Sequence, residues 1–497
     1  MWFLVVGLFA VTALLLYLDS RKPRGFPPGP DWLPILGSAR ELTQLRKETG
    51  YLYVACDQLA KKYGPLVGLR VGKDRQVIVS GYEAIKEMSS RDEFDGKPRG
   101  PLYETRTFNM RRGLLLTDSD FWVEQRRFVL RQLREFGFGR RTMGALVQDE
   151  AGELARSFDV MLQKKPEGVI RPMHDAFGLY VLNTLWTMLA SVRYTPEDTE
   201  LVTLQALLND MFTRLDMAGA LFSQFPLLQY VAPDFSGYTE FVTIHQRLWK
   251  FLRVEIDRHI ETYDPNEMRD FMDVYIKSIK ETAGDPKSSF SELQLLAICM
   301  DMFMAGSETT SKSLGFGFLY LLRHPEVQQR VQAEIDAVVG RERPLELSDR
   351  PNLPYTDAVA LESIRMFMGR TFGVPHRAVK DTYLMGHFIP KETMMVVNIP
   401  SVLMDKSVWG DPENFRPDRF LKNGKVVIPD EYLPFGYGKH RCLGETLARS
   451  NVFMFTAALL QKFDFRVPPG EAPPSTQCVD GVTAATVPYN ALVTYRA

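Results

Sequence analysis

The chain is poor in cysteine. Four in 497 residues, Cys56, Cys299, Cys442 and Cys478, stand far apart, and none belongs to a C-x-x-C pair. That excludes a disulfide-stapled secreted scaffold and favours a reducing compartment. Charge of one sign is also missing: 60 Lys+Arg face 61 Asp+Glu. With no basic tail or acidic block, nucleic acid is not an expected partner. No asparagine opens an N-x-Ser/Thr acceptor, which agrees with a chain kept from the lumen. No strand-like segment leads into a Gly-rich phosphate loop, and no solenoid period or low-complexity tract is present; a nucleotide domain and a repeat fold are excluded as first readings. What is there is 45% hydrophobic residues, ample for a large core.

The longest charge-free run lies at the amino end. Trp2 to Leu18 carry no charge, and Asp19, Ser20, Arg21, Lys22, Pro23 and Arg24 follow at once. Roughly 17 residues at 1.5 Å each span about 26 Å, close to the thickness of an endoplasmic reticulum bilayer. A cleaved signal peptide is the competing reading, but no Lys or Arg precedes the run and no small-x-small site follows it. The positive residues after the span place the rest of the chain in the cytosol. Residues 1–22 therefore read as a membrane anchor. Residues 23–36, with PRGFPPGP from Pro23 to Pro30, read as a stiff proline-rich hinge, and 37–497 as one domain.

Helical periodicity dominates that domain. Ser289 and Glu292 have the spacing of a capping box, and the sequence then runs without proline to His324-Pro325, which predicts a central helix of about thirty residues. It is apolar nearly all round, as a buried helix should be, yet its middle holds Gly306, Ser307, Glu308, Thr309 and Thr310. Further helices are expected from about Tyr355 to Met368 and Leu443 to Lys462, and through much of Thr142 to Lys280. Strand signals are short, around residues 66–81 and from Met394. The fold class is mainly α with a minor β portion.

From Phe435 to Gly444 the sequence reads FGYGKHRCLG, and a helical pattern follows. Cys442 thus falls at a helix N-terminus beside Lys439, His440 and Arg441, where free N–H groups and positive charge favour a thiolate. Gly436, Gly438 and Gly444 let backbone approach something flat. The segment resembles the haem-binding loop of the cytochrome P-450 family, F-x-x-G-x-x-x-C-x-G, with Cys442 as proximal iron ligand. A thiolate in that position pushes electron density toward oxygen and favours O–O cleavage.

The resemblance extends along the chain in family order. Glu362 and Arg365 form E-x-x-R, and FRPDRF, Phe415 to Phe420, supplies Arg419 for a buried Glu-Arg-Arg network of structural role. AGSETT, Ala305 to Thr310, matches the family's oxygen-side helix, where Glu308 and Thr309 relay protons and Gly306 loosens the helix to admit oxygen and water. Trp122 and Arg126 match W-x-x-x-R, which binds a haem propionate; His376, His440 and Arg99 are implied as further propionate donors, with Phe435 and Gly436 shaping the loop. The fold implied is the cytochrome P-450 fold, with haem b held between the central helix and the Cys-loop helix.

Apolar candidate walls follow: Pro101 to Leu116, the stretch from Met211 to Tyr230, Ala297 to Ala305, TFGVP from Thr371 and GVTAATVP from Gly481. They imply a lipophilic substrate, with Ala220 to Val231 dipping into the membrane interface. Stretches such as RKETGYLY, RDEFDGKP and REFGFGRR are similar to insect microsomal members, the methyl farnesoate epoxidases of juvenile hormone synthesis above all. That likeness implies epoxidation of a sesquiterpenoid with O2 and NADPH as co-substrates, in the endoplasmic reticulum membrane. The chain holds no flavin, nicotinamide or Fe–S segment, so electrons are expected from NADPH:cytochrome P-450 reductase, docked through Arg126, Arg127, Arg131, Lys439 and Arg441. A broad hydroxylase of xenobiotics, an isomerase without external oxygen and a non-catalytic haem sensor or carrier are the alternatives.

Overall fold

The structure is a computed structural model and describes residues 2–215 and 219–496. It is mostly helical with small sheets, as the periodicity predicts. Among the described residues one helix is long and apolar enough to cross a membrane, Trp2–Asp19, and it is exposed along its length. The proline-rich segment after it is less of a spacer than the sequence suggests. Phe26 and Trp32 are buried in the core, the Gly68 N–H donates to the Pro28 carbonyl at 2.8 Å, and Arg70 pairs with Asp19 at 2.8 Å. Two aromatic side chains that bury well turn the hinge into part of the globule.

Everything else is arranged around the helix Glu292–Arg323, whose 32 residues extend about 48 Å. The helices Gly178–Ala190, Tyr238–Glu261, Pro354–Met368 and Glu445–Lys462 pack on it, which accounts for a helix apolar on nearly every side. Its N-cap is Ser291, whose side chain accepts from the Gln294 N–H, and not the predicted neighbourhood of Ser289. Ser291 and Gln294 have the same three-residue spacing as Ser289 and Glu292, and Ser289 is taken up by the Gln125 amide at 2.7 Å.

A four-stranded sheet lies to one side. Leu66–Val71 pairs antiparallel with Asp74–Ser80, which runs parallel to Met394–Asn398, and the edge strand is His376–Arg377. A three-stranded sheet joins Phe463–Arg466, Asn490–Tyr495 and Val169–Pro172. A small hairpin pairs Cys478–Val479 with Ala485–Thr486, and its turn reaches back to the central helix.

Candidate functional site

The Cys loop is closed by its own backbone. Gly436 and Gly438 take φ of +75° and +74°, and a Cβ on Gly438 would stand 2.0 Å from the Ser89 carbonyl oxygen; only glycine fits. The Cys442 N–H donates to the Phe435 carbonyl at 2.8 Å, and Gly444 is the N-cap of Glu445–Lys462. Cys442 therefore stands just before a helix, and it is exposed. Desolvation by the surrounding protein atoms pushes the thiol pKa up, while the Gly444 N–H, Arg126 and Arg441 lower it; a positive metal ion at the sulfur would favour the thiolate.

A second group of side chains converges beside the loop. The Trp122 indole stacks on the His440 ring with centroids 3.9 Å apart, and His376 meets His440 edge-on at 5.1 Å. The Arg126 guanidinium lies over Trp122 at 5.3 Å and donates to the Arg441 carbonyl at 2.6 Å. Trp122 donates to the Leu114 carbonyl at 3.1 Å, and His376 Nδ1 to that of Phe94 at 2.9 Å. Burial lowers the His376 pKa to about 3 and drives that of His440 down as well, with Lys97 adding to both shifts. His440 Nε2 is buried without a hydrogen bond, its nearest carboxylate being that of Asp95 at 3.8 Å. Arg99 is exposed and is not brought into this group.

Lys97 stands there instead. It is 2% exposed, its ammonium is a long 3.5 Å from the Pro375 carbonyl, and burial depresses its pKa to about 7. The Pro98-Arg99-Gly100 turn has no periodicity to fix its register, so a shift of two residues was invisible in the sequence.

On the central helix Ala305 is exposed, and Gly306 and Thr309 are half-buried, in an element otherwise largely buried. Ala297, Asp301, Ala305 and Thr309 recur every four residues and so share one face; the helix opens onto a cleft at Ala305. The helix is continuous through Gly306. A Cβ there would lie 2.6 Å from Leu185 Cδ2: the glycine admits a neighbouring helix. The Thr309 hydroxyl donates to the Ala305 carbonyl at 2.9 Å, while the Glu308 carboxylate turns to Lys312 Nζ at 3.0 Å.

The Glu-Arg-Arg trio is assembled. Arg365 grips both oxygens of Glu362 at 2.7 and 2.8 Å, and Arg419 Nε reaches the same carboxylate at 3.0 Å. The guanidinium groups spend their other N–H bonds on carbonyls of Leu403, Pro412, Trp409 and Asn414. Glu362 and Arg365 are wholly buried. Asp418 faces outward to Arg330 at 2.9 Å.

Comparison with known proteins agrees with this geometry. The cytochrome P450 family model matches residues 27–493. The chain belongs to the cytochrome P450 family. It is 46% identical to a probable cytochrome P450 303a1 of Drosophila melanogaster, over all of both chains. It is 37% identical to a farnesoate epoxidase of Bombyx mori, over 95% of this chain and 94% of the relative. It is 33% identical to the human cytochrome P450 2J2, over 98% and 94%.

A cytochrome P450 binds haem and uses O2 with NADPH-derived electrons, and the residues present fit that group. Cys442 is exposed and can present its sulfur to a cation. The orphaned His440 Nε2 and the poorly partnered Lys97, beside Trp122, Arg126 and His376, make a donor cluster with room in its bonding for carboxylates. Of the basic residues expected to meet a redox partner, several are paired within the chain. Lys439 pairs with Asp92 and with Asp95, Arg441 with Glu445 at 2.6 Å, and Arg126 points inward. Arg127, Arg131 and Arg134 remain exposed along the helix Ser119–Glu135.

Proposed function

We propose that this cytochrome P450 epoxidises a terminal alkene of a sesquiterpenoid, methyl farnesoate being the substrate to test first. The observation that carries the reading is the 37% identity, over 95% of the chain, to a protein named farnesoate epoxidase. The walls support it. Leu114, Ala297, Met304, Phe372 and Ala484 are buried and apolar, and the one acid on the cleft face, Asp301, is neutralised by Arg106. Residues 216–218 of the expected wall lie outside the described residues.

Haem b, once bound, would supply oxygen activation; the chain supplies ligation, position and protons. Cys442 would ligate the iron, and Arg126, His440 and Lys97 would hold the propionates, with Trp122 and His376 packed beside them. Phe435 and Gly436 shape the loop around the sulfur. Thr309 and Glu308 move protons: alkene, O2, two electrons and two protons give epoxide and water. The electrons come from a reductase that docks on the Arg127, Arg131 and Arg134 stripe.

The chain is anchored in the endoplasmic reticulum membrane by residues 1–22, with the domain from 37 to 497 in the cytosol. Leu227, Tyr230, Val231 and Phe235 are all at least 75% exposed. They lie beside exposed Ile35 and Leu36, since Lys73 N–H donates to Gln224 and Gly72 N–H to Leu36. This patch suits a lipid surface, and a cavity of about 390 Å³ lined by Leu42, Leu215, Leu221 and Phe235 adjoins it.

A second reading, oxidation of another lipid or a xenobiotic by the same machinery, is favoured by the higher identity to the Drosophila relative, whose name carries no epoxidase. Membranes holding this protein and reductase, given methyl farnesoate, farnesoic acid and a panel of lipophilic compounds, decide. NADPH-dependent epoxide from methyl farnesoate, resolved by chiral analysis, supports the first reading; oxidation of panel compounds with none of either farnesoid overturns it.

A further inference from the structure

Lys312 is a buried lysine in the middle of an apolar helix, and neither the fold nor haem ligation calls for it. Its side chain is 8% exposed and that of Glu308 is 10% exposed, with 3.0 Å between charge centres. Taking both groups from water is costly, and a pair of apolar side chains would serve packing as well. The ammonium has a second partner: it donates to Thr483 Oγ1 at 3.0 Å. Thr483 sits in the turn between Cys478–Val479 and Ala485–Thr486, and the next N–H, that of Ala484, donates to Thr371 Oγ1 at 3.1 Å. Polar contacts thus run from the Glu308 carboxylate through Lys312 to the Thr483 hydroxyl, and the adjoining peptide N–H of that turn is held by Thr371; both segments are expected walls of the cleft.

The geometry points to Lys312 as a positioning residue for proton delivery: it holds Glu308 as a carboxylate turned away from Thr309, and ties that hold to the C-terminal hairpin, so that a substrate pressing on the hairpin releases the acid. The inference rests on Glu308 and Thr309 acting as the relay. Thr309 keeps its hydroxyl on the Ala305 carbonyl, on the cleft side, whereas Glu308 lies about 100° round the helix. A proton passes between them only when Glu308 turns or a water bridges them, and the strength of the Lys312 contact sets how readily that happens. No new co-reactant enters. Electrons that miss their protons at the right moment leave with O2 and two protons as hydrogen peroxide.

The test uses full-length, haem-loaded protein in membranes, with K312M, K312R, T483V, E308Q and the double variant E308Q/K312M. Two readouts are taken: the infrared C=O stretch of a protonated carboxylic acid, and peroxide released per NADPH with reductase and methyl farnesoate. In K312M a protonated-carboxyl band appears that wild type lacks. It vanishes in E308Q/K312M, a variant with no unpaired buried charge, and is absent from K312R. Peroxide per NADPH rises about tenfold in K312M, and T483V, which leaves the ion pair intact, rises part of the way. Absence of the band in K312M overturns the inference, whatever substrate the enzyme takes. If T309A leaves peroxide unchanged, the relay reading fails, and the infrared band still decides whether Lys312 sets the state of Glu308.

Discussion

Thr309 and Glu308 are neighbours in the chain whose side chains are committed to different partners, one to a backbone carbonyl and one to a lysine. Removing the threonine hydroxyl takes away the group that reaches the cleft and leaves the helix intact. T309A is expected to bind substrate as before but to lose about 90% of product per NADPH to peroxide; unchanged coupling would refute the relay. At the other side of the site, Lys97 and Arg99 give a paired prediction. Lys97 is buried beside His376 and His440 and Arg99 is exposed. K97M should weaken haem retention by about tenfold, one lost charge-assisted bond, while R99M should leave it unchanged, both read by haem transfer to an acceptor protein. These residues also show what the sequence could and could not reveal. Cys442, Trp122 and Arg126 were legible because each belongs to a short motif whose spacing is set by one loop or one helical turn. Lys97 was not, because loop register carries no period, and Lys312 was not, because a lysine in an apolar helix looks like a solvent-facing break until its partners are known.

At the scale of elements, the Glu362–Arg365–Arg419 network ties the helix Pro354–Met368 to the segment that leads into the Cys loop. Its members donate or accept at nearly every polar atom, so removal of one leaves buried hydrogen-bonding atoms of the others unpaired. R365L should cost about 3–5 kcal/mol, measured by denaturant unfolding, and a loss below about 1 kcal/mol would contradict a buried network. A second junction joins Tyr238–Glu261 to Phe271–Glu281. His259, 1% exposed, is 2.9 Å from Asp270; burial opposes its charge, but Asp270 and Glu255 raise its pKa to about 9. A base raised in the folded state stabilises fully below its unfolded value of about 6.5 and loses that contribution as pH climbs through 9. The unfolding midpoint should fall between those pH values in wild type and flatten in H259Q. Asp273 is close enough to complete a three-ligand cluster, but Arg269 holds both its oxygens at 2.6 and 2.7 Å, which reads as an ion-pair junction. The long helices were legible from periodicity; the Ser291 cap and the unbroken helix at Gly306 were decided by tertiary partners, Gln125 and Leu185, which no local pattern contains.

At the scale of the molecule, the anchor helix, the docked proline segment and the exposed patch at Leu227, Tyr230, Val231 and Phe235 lie along one route from Asp19 through Arg70 to Gln224. Deleting residues 2–22 should therefore leave partial vesicle binding, and adding L227S and Y230S to the deletion should abolish it; full release by the deletion alone would contradict a lipid-facing patch. The exposed arginine stripe is expected to act through encounter rate. Charge reversal at Arg127 and Arg131 should raise the KM for reductase and weaken the salt dependence of turnover, with equal turnover at all ionic strengths counting against docking there. The expectations about oxidation rest on the sulfur of Cys442 ligating a haem iron. The reduced, carbon monoxide-bound absorption spectrum of the full-length protein tests that most directly. The account predicts the red-shifted Soret band of thiolate ligation, lost in C442S while haem is still bound; a correctly assembled holoprotein without that band, or a C442S protein that keeps it, would contradict the account.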